Sequence, residues 1–388
     1  MRKWLLPEAI EDVLPVEAAR VEALRNSLLE HFHTHGYRLV SPPLIEHLDS
    51  LLTGAGRDLD LLTFKMVDPL SGRMLGLRAD TTPQVARIDA HLLNEPGVTR
   101  LCYAGSVLRT AAPGPGATRE VVQIGSELYG HGGIAADREV MQLLLSALVR
   151  AGASGMHLDL GHVGVYRALA HAAGFDATGE GNDTELFNAL RDKDFPALHE
   201  LTHALPAASR DALRALAGLY GPAHETIEAA RKVLPDLPEV GHALDAIASL
   251  AAVAEGVDAI HVDLADLRGY HYYTGATFSV FATRDGGAVV DCGRGGRYDG
   301  VGRAFGRARP ATGFTLDLRR LATLVCDSGA ADAIVAPDDP DPALASQVAL
   351  LRSRGEAVVV ALPGEAAEGT SARRTLERHG NEWRVVTR

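Results

Sequence analysis

Cysteine is scarce in this chain. Cys102, Cys292 and Cys326 are the only three in 388 residues. They are too few and too scattered for a disulfide framework or a zinc cluster, which fits a reducing compartment and leaves them as buried or incidental thiols. Long apolar runs are missing as well: none approaches the roughly 18 residues that a membrane-crossing helix needs. The first residues, Met1-Arg2-Lys3-Trp4-Leu5-Leu6-Pro7-Glu8, reach proline and acid before a secretory apolar core forms, so export is not expected and a cytoplasmic protein is. There is no repeat of solenoid length and no low-complexity tract. An excess of cations is lacking too. The formal charge of -12 disfavours non-specific nucleic-acid binding, which draws most of its affinity from clustered cations on phosphates, although it leaves room for a local basic face. His31 and His35 stand one helical turn apart without a third ligand, so no metal is expected.

What is present is the composition of a globular protein, 46% hydrophobic and 23% charged, long enough for two or more domains. Val21, Leu24, Leu28 and Phe32 recur at helical spacing and Gly36 follows where a C-cap glycine belongs, which predicts a helix ending there. Tyr37-Arg38-Leu39-Val40 reads as a strand that Ser41-Pro42-Pro43 breaks. From Leu61 to Arg78 and from Leu101 to Gly130, β-prone runs separated by turns such as Asp68-Pro69-Leu70-Ser71-Gly72 predict an antiparallel sheet. Asp137, placed as a cap ahead of Val140, Met141, Leu144, Leu145 and Leu148, predicts a helix that Gly152 terminates. Residues 174–256 turn rich in Ala, Leu and charge at helical period and read as an inserted helical subdomain. Strands resume at Ala259–Leu264, Ala276–Phe281 and Ala288–Asp291. After a boundary near Asp327 to Ala331, residues 332–388 open with a β-α-β pattern and form a small α/β unit. The expected fold class is therefore α+β, with residues 1–326 as the main domain.

The densest chemistry lies in Leu267-Arg268-Gly269-Tyr270-His271-Tyr272-Tyr273-Thr274-Gly275, where a cation, aromatic hydroxyls and turn-forming glycines fall between strand-like stretches. Such a segment suits a small zwitterion: a guanidinium forks onto a carboxylate, and tyrosine hydroxyls bond ring nitrogens without adding charge. Gln123 and Glu127 share one face of a strand by the period of two, and Gly125 between them clears room for a ligand. Taken singly, both belong on a solvent-facing strand, Tyr272 and Tyr273 in a packed strand, and Asp80 at a turn or helix cap before Pro83.

Together these segments resemble the histidyl-tRNA synthetases in the same order, up to about Leu321. Tyr37 to Glu46, with Pro43, is similar to the class II motif at the dimer interface. Leu77-Arg78-Ala79-Asp80-Thr81-Thr82 resembles the family's Arg-Pro-Glu-Gly-Thr loop, which places Asp80 and Thr82 on the α-ammonium. Leu108-Arg109 falls at the α-phosphate arginine, and Gln123 and Glu127 at histidine contacts. Arg268 matches the catalytic arginine, Tyr272 and Tyr273 the tyrosine pair, and Tyr298 of Gly295-Gly296-Arg297-Tyr298-Asp299-Gly300 the residue that closes the pocket. The resemblance implies a class II synthetase-like antiparallel sheet flanked by helices, and a histidine pocket of Asp80, Thr82, Gln123, Glu127, Arg268, Tyr272, Tyr273 and Tyr298.

The departures bear on activity. Ala111 stands where the family has an adenine-reading glutamate, and a methyl group accepts no hydrogen bond. The loop Ala112-Pro113-Gly114-Pro115-Gly116-Ala117 lacks most of the polar groups that the resemblance places over ATP and the tRNA end. Asp317 replaces a glycine beside Arg320, and its carboxylate opposes a phosphate by about 4 kcal/mol at about 4 Å for an effective dielectric of about 20, unless Arg319 offsets it. His271 replaces an acid ahead of the tyrosines. The tail is shorter than the family's anticodon-binding domain, which argues against tRNA. This combination is similar to the ATP phosphoribosyltransferase regulatory subunits, paralogues of the synthetases. It implies no catalysis, no cofactor and no metal, a vestigial nucleotide site at Arg109, Ala111, Asp317 and Arg320, and histidine as effector. It also implies a homodimer within a hetero-oligomer with a short-form catalytic subunit, which gains activity and feedback inhibition in the first step of histidine biosynthesis. The rival expectation is an active histidyl-tRNA synthetase with atypical ATP contacts, on the retained Arg109, Arg268 and Arg320; a synthetase-like protein for another amino acid, or a scaffold, is a third.

Overall fold

The computed structural model describes residues 5–53, 57–112, 114, 117–177, 183–284, 287–324, 333–363, 374–380 and 382–387. Two compact units divide the chain, Met1–Val325 and Cys326–Arg388.

In chain order the strands of the first unit are β1 (Arg38–Leu39), β2 (Ile45–His47), β3 (Phe64–Val67), β4 (Met74–Leu77), β5 (Thr99–Leu108), β6 (Glu120–Tyr129), β7 (Met156–His162), β8 (Tyr220–Pro222), β9 (Ala259–Asp263), β10 (Ala276–Thr283), β11 (Val289–Arg297) and β12 (Ala311–Asp317). Nine of them form one sheet in the order β1-β5-β6-β12-β11-β10-β7-β9-β8, and β2-β4-β3 form a small second sheet. Pairing is antiparallel except for β1 with β5 and β7 with β9. The two stretches expected to share one antiparallel sheet are thus antiparallel but separate. The Asp68 carboxylate accepts from Leu70 N and Ser71 Oγ, closing β3 onto β4 locally, and β4 then pairs with β2 instead of β5. Arg78 ties the sheets together, donating to Ser106 O at 2.8 Å and Pro42 O at 2.9 Å.

Alternation along the central strands gives the large sheet two different faces. Ile124, Leu128, Leu158, Leu160, Phe278, Val280, Phe314 and Leu316 point to one side, into the main core. Helices Pro15–Thr34 and Ile134–Arg150 cover that side with Val21, Leu24, Leu28 and Phe32 and with Val140, Met141, Leu144, Leu145 and Leu148, the stripes read from the sequence. Both helices end as their glycines predict, with Tyr37 N on Phe32 O and Ala153 N on Leu148 O. Asp137 is not a cap. The second helix starts at Ile134, three residues before Asp137, and its carboxylate instead receives a buried arginine, Arg297. Five helices, Thr184–Arg191, Phe195–Thr202, Ala207–Leu216, Ala223–Val233 and Pro238–Ala251, fill the region read as an insertion. Their apolar faces join the main core, and the short β8 between them extends the large sheet. His31, one of the helical histidine pair, has its Nε2 on Ser146 Oγ at 2.8 Å. No described helix is long and apolar enough to cross a membrane.

The second unit carries β13 (Ile334–Ala336), β14 (Val358–Val360), β15 (Arg374–His379) and β16 (Glu382–Thr387), in the order β14-β13-β15-β16. Helix Pro342–Ser353 joins the parallel β13 and β14, the β-α-β pattern visible in the sequence. Asp341 caps it, accepting from Ala343 N and from Trp383 Nε1, and so fastens the β15–β16 hairpin to the helix. Cys326 lies outside the described residues, while Cys102 and Cys292 are buried thiols that burial pushes up to about 12, unreactive at neutral pH.

Candidate functional site

The polar face of the large sheet floors a cleft of about 700 Å³. Strand register writes its floor in rows. One row runs Asp159, Ser279, Arg294, Thr315, Gly125, Tyr103 across β7, β10, β11, β12, β6 and β5, and the next runs Gly161, Thr277, Gly296, Gly313, Glu127, Leu101. Large side chains fit because glycines lie beside them. A Cβ on Gly313 would sit 1.5 Å from Glu127 Oε2, and one on Gly125 would sit 2.5 Å from the Tyr103 hydroxyl. Gly125 therefore makes room for the Tyr103 ring, not for a ligand as its sequence position suggests. Gly313→Ala is expected to displace the Glu127 carboxylate, weaken any ligand held there at least tenfold, and lower stability by about 1–3 kcal/mol, the usual cost of overpacking; calorimetry and urea unfolding check both.

Glu127 is only 1% exposed. Its Oε1 accepts from Thr82 Oγ1 at 3.0 Å and its Oε2 from the Tyr298 hydroxyl. Burial pushes its carboxyl up to about 8, and the negative charge of Asp80 adds to that, against the hydroxyl donors of Tyr298 and Thr82. Tyr298 stacks on Tyr272, ring centroids 4.9 Å apart. The Tyr272 hydroxyl is buried, belongs to a cleft-lining residue and has no hydrogen-bond partner among the described residues. Gln123 is also buried, but its Oε1 accepts from Thr81 N and Thr81 Oγ1, so it braces the Asp80 turn. Asp80 Oδ1 accepts from Thr82 N at 2.9 Å, an Asx turn that presents the acid at the cleft wall.

The loop after β9 brings in Arg268, Tyr272 and Tyr273. Arg167 secures it by donating to the carbonyls of Tyr270 and Tyr273, at 3.1 and 2.9 Å. Arg268 lines the cleft, half-exposed, with Nε and Nη2 on the Asp266 carboxylate at 2.8 and 2.7 Å. Asp266 is driven up by burial, but the hydrogen bonds and charge of Arg268 outweigh that and hold it below the usual carboxylate range. All eight residues of the expected amino-acid pocket line this one cleft.

Of the four residues expected at a nucleotide site, Arg109, Asp317 and Arg320 line the same cleft, while Ala111 is exposed outside its lining. Asp317 does more than oppose a phosphate. It caps helix Leu318–Ala322, accepting from Arg319 N at 3.0 Å and Arg320 N at 3.4 Å, and lies 3.5 Å from the Arg320 guanidinium. The Arg319 guanidinium makes no bond to it, being paired with Glu17 at 3.0 Å, but its positive charge still offsets part of the Asp317 charge.

Sequence reasoning missed Tyr103, Asp159, Asp266, Asp291 and Arg294. Asp266 had a signal, its position two residues before Arg268, where an Asx turn accepts Arg268 N. Asp291 and Arg294 had none. A β-bulge at Cys292, seen as the register shift between Val280 and Phe281, turns both toward the cleft although they stand three positions apart.

A family model described as histidyl-tRNA synthetase matches residues 9–321, and one described as ATP phosphoribosyltransferase subunit HisZ C-terminal domain matches residues 331–386. The ATP phosphoribosyltransferase regulatory subunit of Cupriavidus metallidurans is 54% identical over 388 residues, covering 100% of this chain and 99% of that one. The chain belongs to the ATP phosphoribosyltransferase regulatory subunit family. Within that family it is a non-catalytic chain. A solved structure described as an ATP phosphoribosyltransferase regulatory subunit/histidyl-tRNA synthetase from Bacillus halodurans superposes with a TM-score of 0.79 at 27% identity, over 96% of this chain and 95% of that one. Histidyl-tRNA synthetase from Nostoc reaches 0.74 at 15% identity, over 97% and 92%, and shares the fold. The class II synthetase-like architecture expected from the motifs is the one the regulatory subunit family adopts here.

Proposed function

We propose that the cleft binds free histidine and that the chain passes its occupancy, as feedback inhibition, to a short-form catalytic ATP phosphoribosyltransferase subunit in the first step of histidine biosynthesis. The observation that carries this reading is the pairing of a buried carboxyl, Glu127, with an unpartnered buried hydroxyl, that of Tyr272, in one pocket. An imidazole offers one N–H donor and one nitrogen acceptor, which is the complement of that pair. Arg268 takes the α-carboxylate, sharing its guanidinium with Asp266, and Asp80 takes the α-ammonium. Thr82, Tyr298 and Gln123 position these groups and Tyr273 walls the pocket. Regulation requires histidine to favour one assembly state, a coupling of about 1–3 kcal/mol that the partner must return on histidine affinity. A homodimer inside a cytoplasmic hetero-oligomer suits this role. The match of the tail to the HisZ C-terminal domain supports a function without tRNA.

Titration calorimetry with histidine tests the pocket. A neutral imidazole N–H favours the ionised carboxylate, so binding expels the Glu127 proton at pH 7, and affinity is expected to rise about fivefold from pH 7 to pH 8. A pH-independent affinity contradicts this assignment of Glu127. ATP–pyrophosphate exchange with histidine should stay at background; robust exchange would restore the synthetase reading.

A further inference from the structure

Three guanidiniums, from Arg268, Arg294 and Arg320, line the cleft together with the carboxylates of Asp266 and Asp291. Each is already matched by a carboxylate of the same chain. Asp266 holds Arg268 at 2.7 Å, Asp291 holds Arg294 in close contact, and Arg320 lies 3.5 Å from Asp317 and 3.7 Å from Asp291. Arg109 is the one arginine of the cleft lining with no carboxylate partner among the described residues. A forked guanidinium accepts phosphate oxygens as readily as carboxylate oxygens. For Arg294 and Arg320, which have no part in the amino-acid pocket, the outcome is decided by which anion is nearer and already in place.

We infer that Asp291 is a resident counter-ion that closes the Arg294 and Arg320 part of the cleft to polyphosphate. Among the described residues it is the one carboxylate that touches two of the guanidiniums, Arg294 and Arg320, and the bulge at Cys292 is what aims it there. An incoming phosphate has to displace an anion that is tethered, and therefore at high effective concentration, and then remain close to its charge. Structural need does not explain the residue, because its side chain is a quarter exposed and neither cap nor core depends on it. The exclusion is separate from histidine binding and holds whether or not the amino-acid pocket is occupied.

The test titrates the purified full-length chain with inorganic tripolyphosphate and, in parallel, with ATP at low ionic strength. Wild type should bind neither up to millimolar concentration. Asp291→Asn should gain at least tenfold in affinity for tripolyphosphate, lose the gain in moderate salt, and lose it again when Arg294→Gln and Arg320→Gln are added. Asp291→Ser provides a second route to the same state should the amide disturb the strand, and thermal unfolding verifies that each variant is folded. ATP binding in step with tripolyphosphate identifies a nucleotide site, and tripolyphosphate binding alone a generic polyanion site; both support the counter-ion role. Wild type binding as tightly as Asp291→Asn, a gain that survives loss of both arginines, or folded Asp291 variants that bind no better than wild type would overturn it.

Discussion

Replacing Glu127 with glutamine is expected to weaken histidine binding at least a hundredfold and, at the same time, to make the unliganded chain more stable at pH 8. The two effects share a cause. The Glu127 carboxyl is raised by burial from an ordinary 4.5 to about 8 in the fold. Below about pH 4.5 it is protonated folded or unfolded and contributes no pH dependence. Between there and about pH 8 the unfolded chain gives up the proton while the folded chain keeps it, so stability falls as pH rises. By pH 8 the accumulated difference is on the order of 3–5 kcal/mol, and glutamine, which has no proton to lose, removes it. Its amide is nearly isosteric, and the Thr82 and Tyr298 hydroxyls can each turn from donor to acceptor. The ligand loses more. A charge-assisted hydrogen bond is worth about 1.5–3 kcal/mol, and an amide N–H facing the imidazole N–H adds an unsatisfied donor, which together exceed the roughly 2.7 kcal/mol of a hundredfold change. Calorimetry at pH 8 and urea unfolding at pH 5 and pH 8 measure both sides. A variant less stable than wild type at pH 8, still binding histidine normally, would be the opposite result.

The largest loss of stability is expected at Arg297→Met. Arg297 is 7% exposed, with Nε and Nη2 on Asp137 Oδ2 at 3.0 and 2.9 Å, further bonds to the carbonyls of His131 and Gly133, and an ion pair to Asp299 at 3.1 Å. Methionine fills the space but leaves the Asp137 carboxylate, 3% exposed, without its partner. Removing one member of such a pair costs about 3–5 kcal/mol, because the remaining charge stays buried. Asp137→Asn in the same background should recover part of the loss, as the charge is then gone. Arg297 also precedes Tyr298, so histidine binding should weaken with it. A urea midpoint shifted by less than the equivalent of about 1 kcal/mol would mean that water or another cation replaces the guanidinium.

The parts of this molecule legible in the sequence are those governed by local rules. Val21, Leu24, Leu28 and Phe32 announce a helix because burial of one face requires that spacing, and Gly36 ends it. The period of two puts Gln123 and Glu127 on one face, and both line the cleft. What the sequence hides depends on register and on long-range partners. Nothing local separates Asp137 as an N-cap from Asp137 as the counter-ion of a residue 160 positions away. The β15–β16 hairpin is charge-rich and does not alternate cleanly, so it carries weak strand signals. The bulge at Cys292 breaks the parity on which a face is assigned, which conceals Asp291 and Arg294. Gly125 looks like space for a ligand until Tyr103, brought opposite it by β5–β6 pairing, is seen to occupy that space. Gln123, read as a ligand contact, has its carbonyl oxygen engaged by Thr81.

The central claim, that histidine acts through Glu127 in this chain, is tested most directly by reconstituting the chain with a short-form catalytic ATP phosphoribosyltransferase subunit and measuring phosphoribosyl transfer against histidine concentration. Wild type and Glu127→Gln should both activate the catalytic subunit, and histidine should inhibit only the complex containing wild type. Equal inhibition of both complexes would place the effector site elsewhere and contradict the account.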